Sequence, residues 1–128
     1  MGNSMIAAQL YTVRDFTKTS DDIAQTMRRV RDIGYEAVQT SGMGPIEPQA
    51  LKDIVDEVGL KICATHVSYE RMRDETEALA AEHNLWGCAY PGVGGLPADC
   101  RASAEGYVRF AKEASEVGRK LREHGLTF

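Results

Sequence analysis

The chain has 128 residues, of which 43% are apolar and 27% are charged, and its net charge at pH 7 is −4. This length suits one domain with its own hydrophobic core. The mild acidity argues against a nucleic-acid partner, and no apolar stretch approaches the length that crosses a membrane. Three cysteines without paired spacing, Cys63, Cys88 and Cys100, indicate a reducing compartment, so we expect a cytoplasmic protein.

The first half of the chain alternates short apolar runs with amphipathic segments. Strands are predicted at Met5–Leu10, Tyr35–Gln39 and Lys61–His66. Ser20 is predicted to cap the first helix, because two carboxylates follow it in the first turn. Pro48 is predicted to open the second helix, since proline suits a first turn.

The second half continues the alternation with weaker signals. A helix of low apolar content is predicted over residues 70–82, a fourth strand over Trp86–Tyr90, and a long helix over residues 103–124. The last three residues, 126–128, then resemble the beginning of a fifth strand. Residues 1–4 are expected to be a disordered arm or a remnant of cloning.

Helix-ending residues recur at a fixed interval. Gly34, Gly59 and Asn84 lie 25 residues apart, and Gly125 ends the last helix. Strict alternation of strand and helix predicts a parallel sheet, and units of this length are typical of eight-unit barrels of ~250 residues. We therefore predict an α/β fold with one domain over residues 1–128. It is half of a (β/α)8 TIM barrel, with four βα units plus the start of a fifth strand.

Four segments carry a resemblance to a known family, and in chain order they read IAAQLYTVRD, RRVRDIGYEAVQTSG, LKDIVDEVGLKICATHVSYE and YVRFAKEASEVGRKLREHGLTF. They resemble the amino-terminal half of sugar phosphate isomerase/epimerases. Those enzymes belong to the xylose isomerase-like TIM barrel superfamily, which also contains endonuclease IV. The resemblance runs from Ile6 to Phe128.

The resemblance implies an active site at the carboxyl ends of the strands. It also implies a divalent metal, such as Mn, Mg, Zn or Co, held by residues of strands five to eight. Because this chain ends before those strands, we expect a metal only in a full-length parent and no cofactor here. The expected function is a truncated sugar (phosphate) isomerase/epimerase-like protein whose catalysis is reduced or lost, with catalytic residues unassigned.

Two other functions stay open from the sequence. One is a non-catalytic half-barrel that assembles with itself or binds a small sugar. The other is an endonuclease IV-like DNA repair protein, which the acidic charge balance disfavours. If the chain is an enzyme, the resemblance implies an isomerase or epimerase.

His66 is the strongest candidate for a substrate contact. It ends the third predicted strand, at the barrel end where functional groups gather. Its imidazole suits hydrogen bonding to a hydroxyl or proton transfer near neutral pH, and the resembling family has a sugar-facing histidine here. The alternative is a structural histidine that bonds to the adjacent loop.

Gln9 and Gln39 end the first two predicted strands, so alternation of side chains predicts that both face the barrel mouth beside His66. Each is interpreted either as a hydroxyl-binding group or as a strand-end residue that bonds loop backbone. Relatives often carry glutamate at the position of Gln39. Glutamine keeps the hydrogen bonds of glutamate and loses its charge.

Tyr11 and Arg14 follow the first strand, and both are further candidates for substrate binding. Arg14 is interpreted either as a phosphate or carboxylate ligand or as a partner of Asp15. His83 and His124 stand next to helix-ending residues, where a cation meets a favourable dipole, and we expect both at the barrel end opposite His66.

A half-barrel leaves its inner face and two strand edges open. We therefore expect a homodimer in which strand four of each copy pairs with strand one of the other, closing the barrel around a two-fold axis. A small sugar is the other expected partner, with no nucleic acid and no membrane.

Overall fold

A computed structural model describes residues 6–128 of the chain. Ten elements follow one another: β1 Ala7–Gln9, a 3-10 helix Leu10–Phe16, α1 Ser20–Ile33, β2 Ala37–Thr40, α2 Pro48–Val58, β3 Lys61–His66, α3 Tyr69–Asp74, α4 Thr76–Trp86, β4 Pro91–Gly92 and α5 Ala104–Glu123. The predicted arm at residues 1–4 and the predicted first strand residue, Met5, lie outside the described residues. None of the helices in the described part is long and apolar enough to cross a membrane.

The four strands form one parallel sheet in the order β1-β2-β3-β4. Gln9 lies opposite Gln39, and Thr40 lies opposite Thr65. This order without reversal is that of consecutive barrel units, whereas a doubly wound sheet reverses its strand order. The Thr127 amide donates to the Ala89 carbonyl at 2.8 Å, so the chain after α5 returns to the sheet beside the residues that lead into β4.

Helix α1 begins one residue earlier than predicted because a different side chain caps it. The Thr19 hydroxyl accepts from the Asp22 amide at 3.1 Å, and the Asp22 carboxylate accepts from the Thr19 amide at 3.2 Å. This reciprocal pair is a capping box. Ser20, the predicted cap, is instead the first helical residue. The predicted end is confirmed, since Gly34 adopts a left-handed conformation with φ of 118°.

The fourth strand is displaced from its predicted place at Trp86–Tyr90. Helix α4 continues past Asn84 to Trp86 and ends at Gly87, which has φ of 67°. The Trp86 indole donates to the Pro48 carbonyl at 2.9 Å and packs against the core, which holds this apolar residue in the helix. The strand therefore forms only at Pro91–Gly92, and the regular 25-residue interval ends at Gly59.

Two hydrophobic clusters hold the helices against the sheet. The amino-terminal core joins the sheet to α1 and α2 and contains Leu10, Ile23, Met27, Val30, Val38, Leu51, Val55, Leu60, Ile62 and Cys88. The carboxyl-terminal core joins α3, α4 and α5 and contains Tyr69, Met72, Leu79, Ala80, Val117, Leu121 and Leu126. Burial at these sites removes apolar surface from water and stabilises the fold.

Candidate functional site

Two glutamine side chains meet on the face of the sheet that turns away from the helices. The Nε2 atom of Gln9 donates to the Oε1 atom of Gln39 at 3.2 Å. Val38 belongs to the amino-terminal core, and side chains alternate along a strand, so its neighbour Gln39 points to the opposite face. Gln9 is exposed and Gln39 is half-buried. Both predicted residues therefore lie at the open face, near the carboxyl ends of β1 and β2.

His66 occupies the same face on the third strand. An irregularity in the β2–β3 pairing places Gln39 opposite Ala64, and Ala64 and His66 share a face because they are two residues apart. The Nδ1 atom of His66 lies 3.0 Å from the Ser41 hydroxyl. Its Nε2 atom has no hydrogen-bond partner within residues 6–128. We call Gln9, Gln39 and His66 the polar arc.

The polar arc combines two amides with one imidazole. Amides donate and accept, and a neutral imidazole has one donor and one acceptor nitrogen. Sugar hydroxyls also donate and accept, so the arc has the chemistry that hydroxyl groups require. The His66–Ser41 bond shows that the loop after β2 also orients the ring, as the structural interpretation of this histidine expected.

Tyr11 and Arg14 lie together in the 3-10 helix that follows β1. The Arg14 guanidinium lies 4.4 Å from the centre of the Tyr11 ring, and its Nη1 atom donates to the Tyr11 carbonyl at 2.9 Å. Asp15, which the sequence offered as a partner of Arg14, instead pairs with Lys18 at 3.5 Å. Both Tyr11 and Arg14 are exposed. Within the described residues no hydrogen bond joins their side chains to the polar arc.

A crevice of about 570 Å³ borders His66 on the helix side of the sheet. Its lining includes Thr40 and Thr65 from the strands and Arg71 and Glu82 from α3 and α4. The Arg71 guanidinium bonds both oxygens of Glu82, which raises the pKa of Arg71. Arg71 therefore ties α3 to α4 and does not present a free cation to a ligand.

His83 is a histidine that is buried in the interior of the protein and has no access to a ligand. Its ring is fully buried, with Nε2 at 2.7 Å from the Thr65 hydroxyl and Nδ1 at 2.8 Å from the Leu79 carbonyl. The carbonyl only accepts, so Nδ1 donates to it and the Thr65 hydroxyl donates to Nε2. Burial lowers the pKa of His83.

The prediction of a helix-end cation at His83 is therefore wrong. The ring lies on the helix side of β3 and bonds to Thr65, the residue before His66. It does not lie at the barrel end opposite His66. The sequence held one signal for burial, since Leu79 precedes His83 by one helical turn. His124 is exposed and caps the carboxyl end of α5, where the sequence placed it.

The donor set of the polar arc does not fit the divalent metal that the family implies. Its groups are two neutral amides and one imidazole, with the Ser41 hydroxyl nearby, whereas Mg²⁺ and Mn²⁺ prefer carboxylate oxygens. Within residues 6–128, no group of three or more His, Cys, Asp or Glu side chains lies close enough to share an ion.

The solved structures that share this fold include the following two. A sugar phosphate isomerase/epimerase from Parabacteroides distasonis ATCC 8503 superposes with a TM-score of 0.66 at 15% identity, covering 98% of this chain and 50% of that chain. A xylose isomerase-like TIM barrel protein from Mycobacterium smegmatis, in complex with magnesium, superposes with a TM-score of 0.61 at 13% identity, covering 95% and 53%.

The chain has the fold of half a TIM barrel. The predicted half-barrel architecture is confirmed, and the predicted resemblance is confirmed at the level of the fold. The chain spans about half the length of the structures that it matches. No protein-family model and no curated protein matches the sequence.

Proposed function

We propose that this half-barrel supplies the sugar-facing side of an isomerase/epimerase-type site, and that the chain alone binds a small sugar or sugar phosphate with catalysis reduced or lost. The observation that carries the proposal is the polar arc. It holds three side chains with hydrogen-bonding groups on three adjacent strands, on the face that becomes the interior of a barrel. Both fold neighbours are xylose isomerase-like barrels or sugar phosphate isomerase/epimerases by description.

The proposed binding is weak because the arc covers one side of a ligand. Three hydrogen bonds of about 1 kcal/mol each correspond to a dissociation constant in the millimolar range or weaker. The bond from Gln9 to Gln39 orients both amides, and it leaves the Oε1 atom of Gln9 to accept from a ligand and the Nε2 atom of Gln39 to donate to one. This preorganisation lowers the loss of side-chain entropy that accompanies ligand binding.

The reduced catalysis follows from the protonation chemistry of the arc. Gln39 stands where the resembling proteins often carry glutamate, and an amide neither gives nor takes a proton near neutral pH. An isomerisation moves protons between two carbon or oxygen positions. Because His66 is the one acid–base side chain of the arc, the arc supplies one group for these proton transfers.

The test is a titration followed by amide NMR, with xylose and ribose 5-phosphate as the probes. We expect shifts at the side-chain amides of Gln9 and Gln39 and at the ring of His66. Replacing His66→Ala should weaken binding about fivefold, the loss of one hydrogen bond of about 1 kcal/mol. His124→Ala is the matched control, because that exposed histidine lies at the end of α5. Shifts confined to other surfaces, or none, contradict the proposal.

A further inference from the structure

Protein groups surround one edge of the His66 ring. On one side of this edge, the Ser41 hydroxyl lies 3.0 Å from Nδ1. On the other side, β4 runs beside β3 with Gly92 opposite His66, and a β-carbon added to Gly94 would lie 3.5 Å from Nδ1. The Nδ1 edge therefore faces the residues that follow β2 and β4, and Nε2 is the nitrogen that a ligand can reach.

The direction of the Ser41–His66 hydrogen bond decides what Nε2 offers to that ligand. A neutral imidazole carries one proton, either on Nδ1 or on Nε2. If the Ser41 hydroxyl donates to Nδ1, the ring proton is on Nε2 and His66 donates to the ligand. If Nδ1 donates to the hydroxyl, Nε2 has no proton and His66 accepts from the ligand. The two tautomers therefore select opposite ligand groups at one position.

The surroundings of Ser41 favour donation by its hydroxyl. Ser41 is 6% exposed, so its hydroxyl proton has little access to water and needs an acceptor within the protein. Among residues 6–128, the Nδ1 atom of His66 is the one hydrogen-bond partner of this hydroxyl. A bond in the reverse direction would leave the hydroxyl proton without an acceptor, which is unfavourable for a buried group.

We propose that Ser41 is a positioning residue, whose hydroxyl donates to Nδ1 of His66 and so fixes this ring as a hydrogen-bond donor at Nε2. This inference rests on the proposed function, because it concerns the ligand of the same polar arc. It deepens that function by naming the group that the ligand presents to His66, which is an oxygen that accepts.

A fixed donor at His66 gives the polar arc a preferred class of ligand. The Nε2 atom of Gln39 also donates, whereas the Oε1 atom of Gln9 accepts. The arc thus has two donors, on the neighbouring strands β2 and β3, and one acceptor on β1. A carboxylate has two oxygens that only accept, and hydrogen bonds to an ionised group are stronger than those between neutral groups. The preferred ligand is therefore a sugar acid, whose hydroxyl groups can donate to Gln9.

His83 provides an internal reference for the tautomer of His66. Its Nδ1 donates to the Leu79 carbonyl and its Nε2 accepts from the Thr65 hydroxyl, so its proton is on Nδ1. The two neutral rings should therefore carry their protons on opposite nitrogens. His124 is exposed and should show the mixture of tautomers that is typical of a free side chain.

NMR of the imidazole nitrogens in the isotope-labelled chain tests the tautomer, at about pH 8, where an unperturbed imidazole is neutral. We expect the His66 proton on Nε2 and the His83 proton on Nδ1. In Ser41→Ala, the His66 signals should move toward those of His124, while the His83 signals stay. Ser41→Thr keeps a hydroxyl and should restore the parent pattern. A His66 proton on Nδ1 in the parent chain, or a pattern that Ser41→Ala leaves unchanged, overturns the proposal.

Ser115→Ala is the matched control for the loss of a hydroxyl. The Ser115 hydroxyl donates to the Ala111 carbonyl at 2.8 Å within α5, away from the polar arc. This variant should keep the parent signals of His66. Circular dichroism shows that each variant is folded. If Ser41→Ala does not fold, the parent chain alone decides, because the position of its His66 proton is measured directly.

Titrations with xylonate and xylitol test the preferred ligand. These compounds have the same carbon chain and differ in one end, which is a carboxylate in xylonate and a hydroxymethyl group in xylitol. We expect the parent chain to bind xylonate about fivefold more tightly, since a charge-assisted hydrogen bond replaces a neutral one. The preference should shrink in Ser41→Ala, whose His66 ring is free to turn and to carry its proton on Nδ1.

The outcomes separate this inference from the proposed function. Equal affinities for xylonate and xylitol, or the same preference in the parent chain and in Ser41→Ala, overturn the inference and leave the proposed function standing. If the His66 proton is on Nε2 and depends on Ser41, but neither these compounds nor ribose 5-phosphate bind, the proposed function fails. The positioning of His66 by Ser41 then stands without a ligand, and the preference for sugar acids is overturned.

Discussion

The two histidines near the end of β3 differ in what surrounds their rings. His66 is half-buried at the open face and bonds to Ser41, while His83 is fully buried and bonds to Thr65 and Leu79. The ring of His83 bonds to Thr65, which is the residue just before His66 in β3. Even so, the His66 ring has access to a ligand and the His83 ring has none. Burial therefore decides which histidine is a candidate for function.

His83 makes the stability of the fold depend on pH. Burial holds its pKa below the ordinary value of 6.5, so the unfolded chain binds a proton near that pH that the folded chain does not. The stability that the neutral His83 ring contributes is fully present above pH 6.5, and it is lost as the pH falls toward the pKa of His83 in the folded chain. We expect the melting temperature to fall from neutral pH to about pH 5 and this fall to be smaller in His83→Gln.

The control for this prediction is His124→Gln. That residue is exposed at the end of α5, so the variant should keep the pH dependence of the parent chain. A His83→Gln chain whose melting temperature varies with pH as strongly as that of the parent contradicts the assignment of a neutral buried ring.

At the scale of single elements, the start of α1 offers a direct comparison of two neighbouring hydroxyls. Thr19 forms the capping box with Asp22, whereas Ser20 is the first helical residue. We expect Thr19→Ala to lower the free energy of unfolding by about 1 kcal/mol, because it removes the acceptor for an amide at the helix start. Ser20→Ala should change it much less. Urea denaturation measures both, and equal losses contradict the assigned cap.

The elements also show what the sequence can predict. Apolar periodicity placed α1, α2, β3 and α5 to within a residue or two, because their patterns are regular and glycines close the first two helices. The segment Asn84–Tyr90 misled the prediction, since Trp86 reads as a strand residue until its indole is seen bonded to the Pro48 carbonyl. That bond joins residues 38 apart in the chain, and local patterns do not contain it.

The same limit applies to the candidate site. The strand ends and the alternation of side chains predicted that Gln9, Gln39 and His66 would share a face, and the structure places them so. The stacking of Arg14 on Tyr11 was not predicted, because the 3-10 helix that brings them together has no periodic signal in the sequence. Tertiary contacts determine such details, and local sequence preferences do not contain them.

At the scale of the whole molecule, the two cores predict two levels of stability. Leu121 is fully buried in the carboxyl-terminal core, and this core contains no residue of β1, β2 or β3. We expect Leu121→Ala, which removes about 2–5 kcal/mol of packing, to speed amide hydrogen exchange in α5 more than in β2 and β3. Ile23→Ala, in the other core, should instead speed exchange in the strands. Uniform effects of both variants contradict separate unfolding units.

The division into two cores also has a consequence for biosynthesis. Every buried residue of the amino-terminal core lies between Leu10 and Cys88, ahead of α5 in the chain. Since a ribosome adds residues in that order, this core can form while the last helix is still inside the exit tunnel. The second core includes Leu126, so it forms only after α5 has been added. A nascent chain therefore emerges with a folded amino-terminal core and with exposed apolar side chains along α3 and α4. A chaperone at the ribosome would meet this apolar surface first.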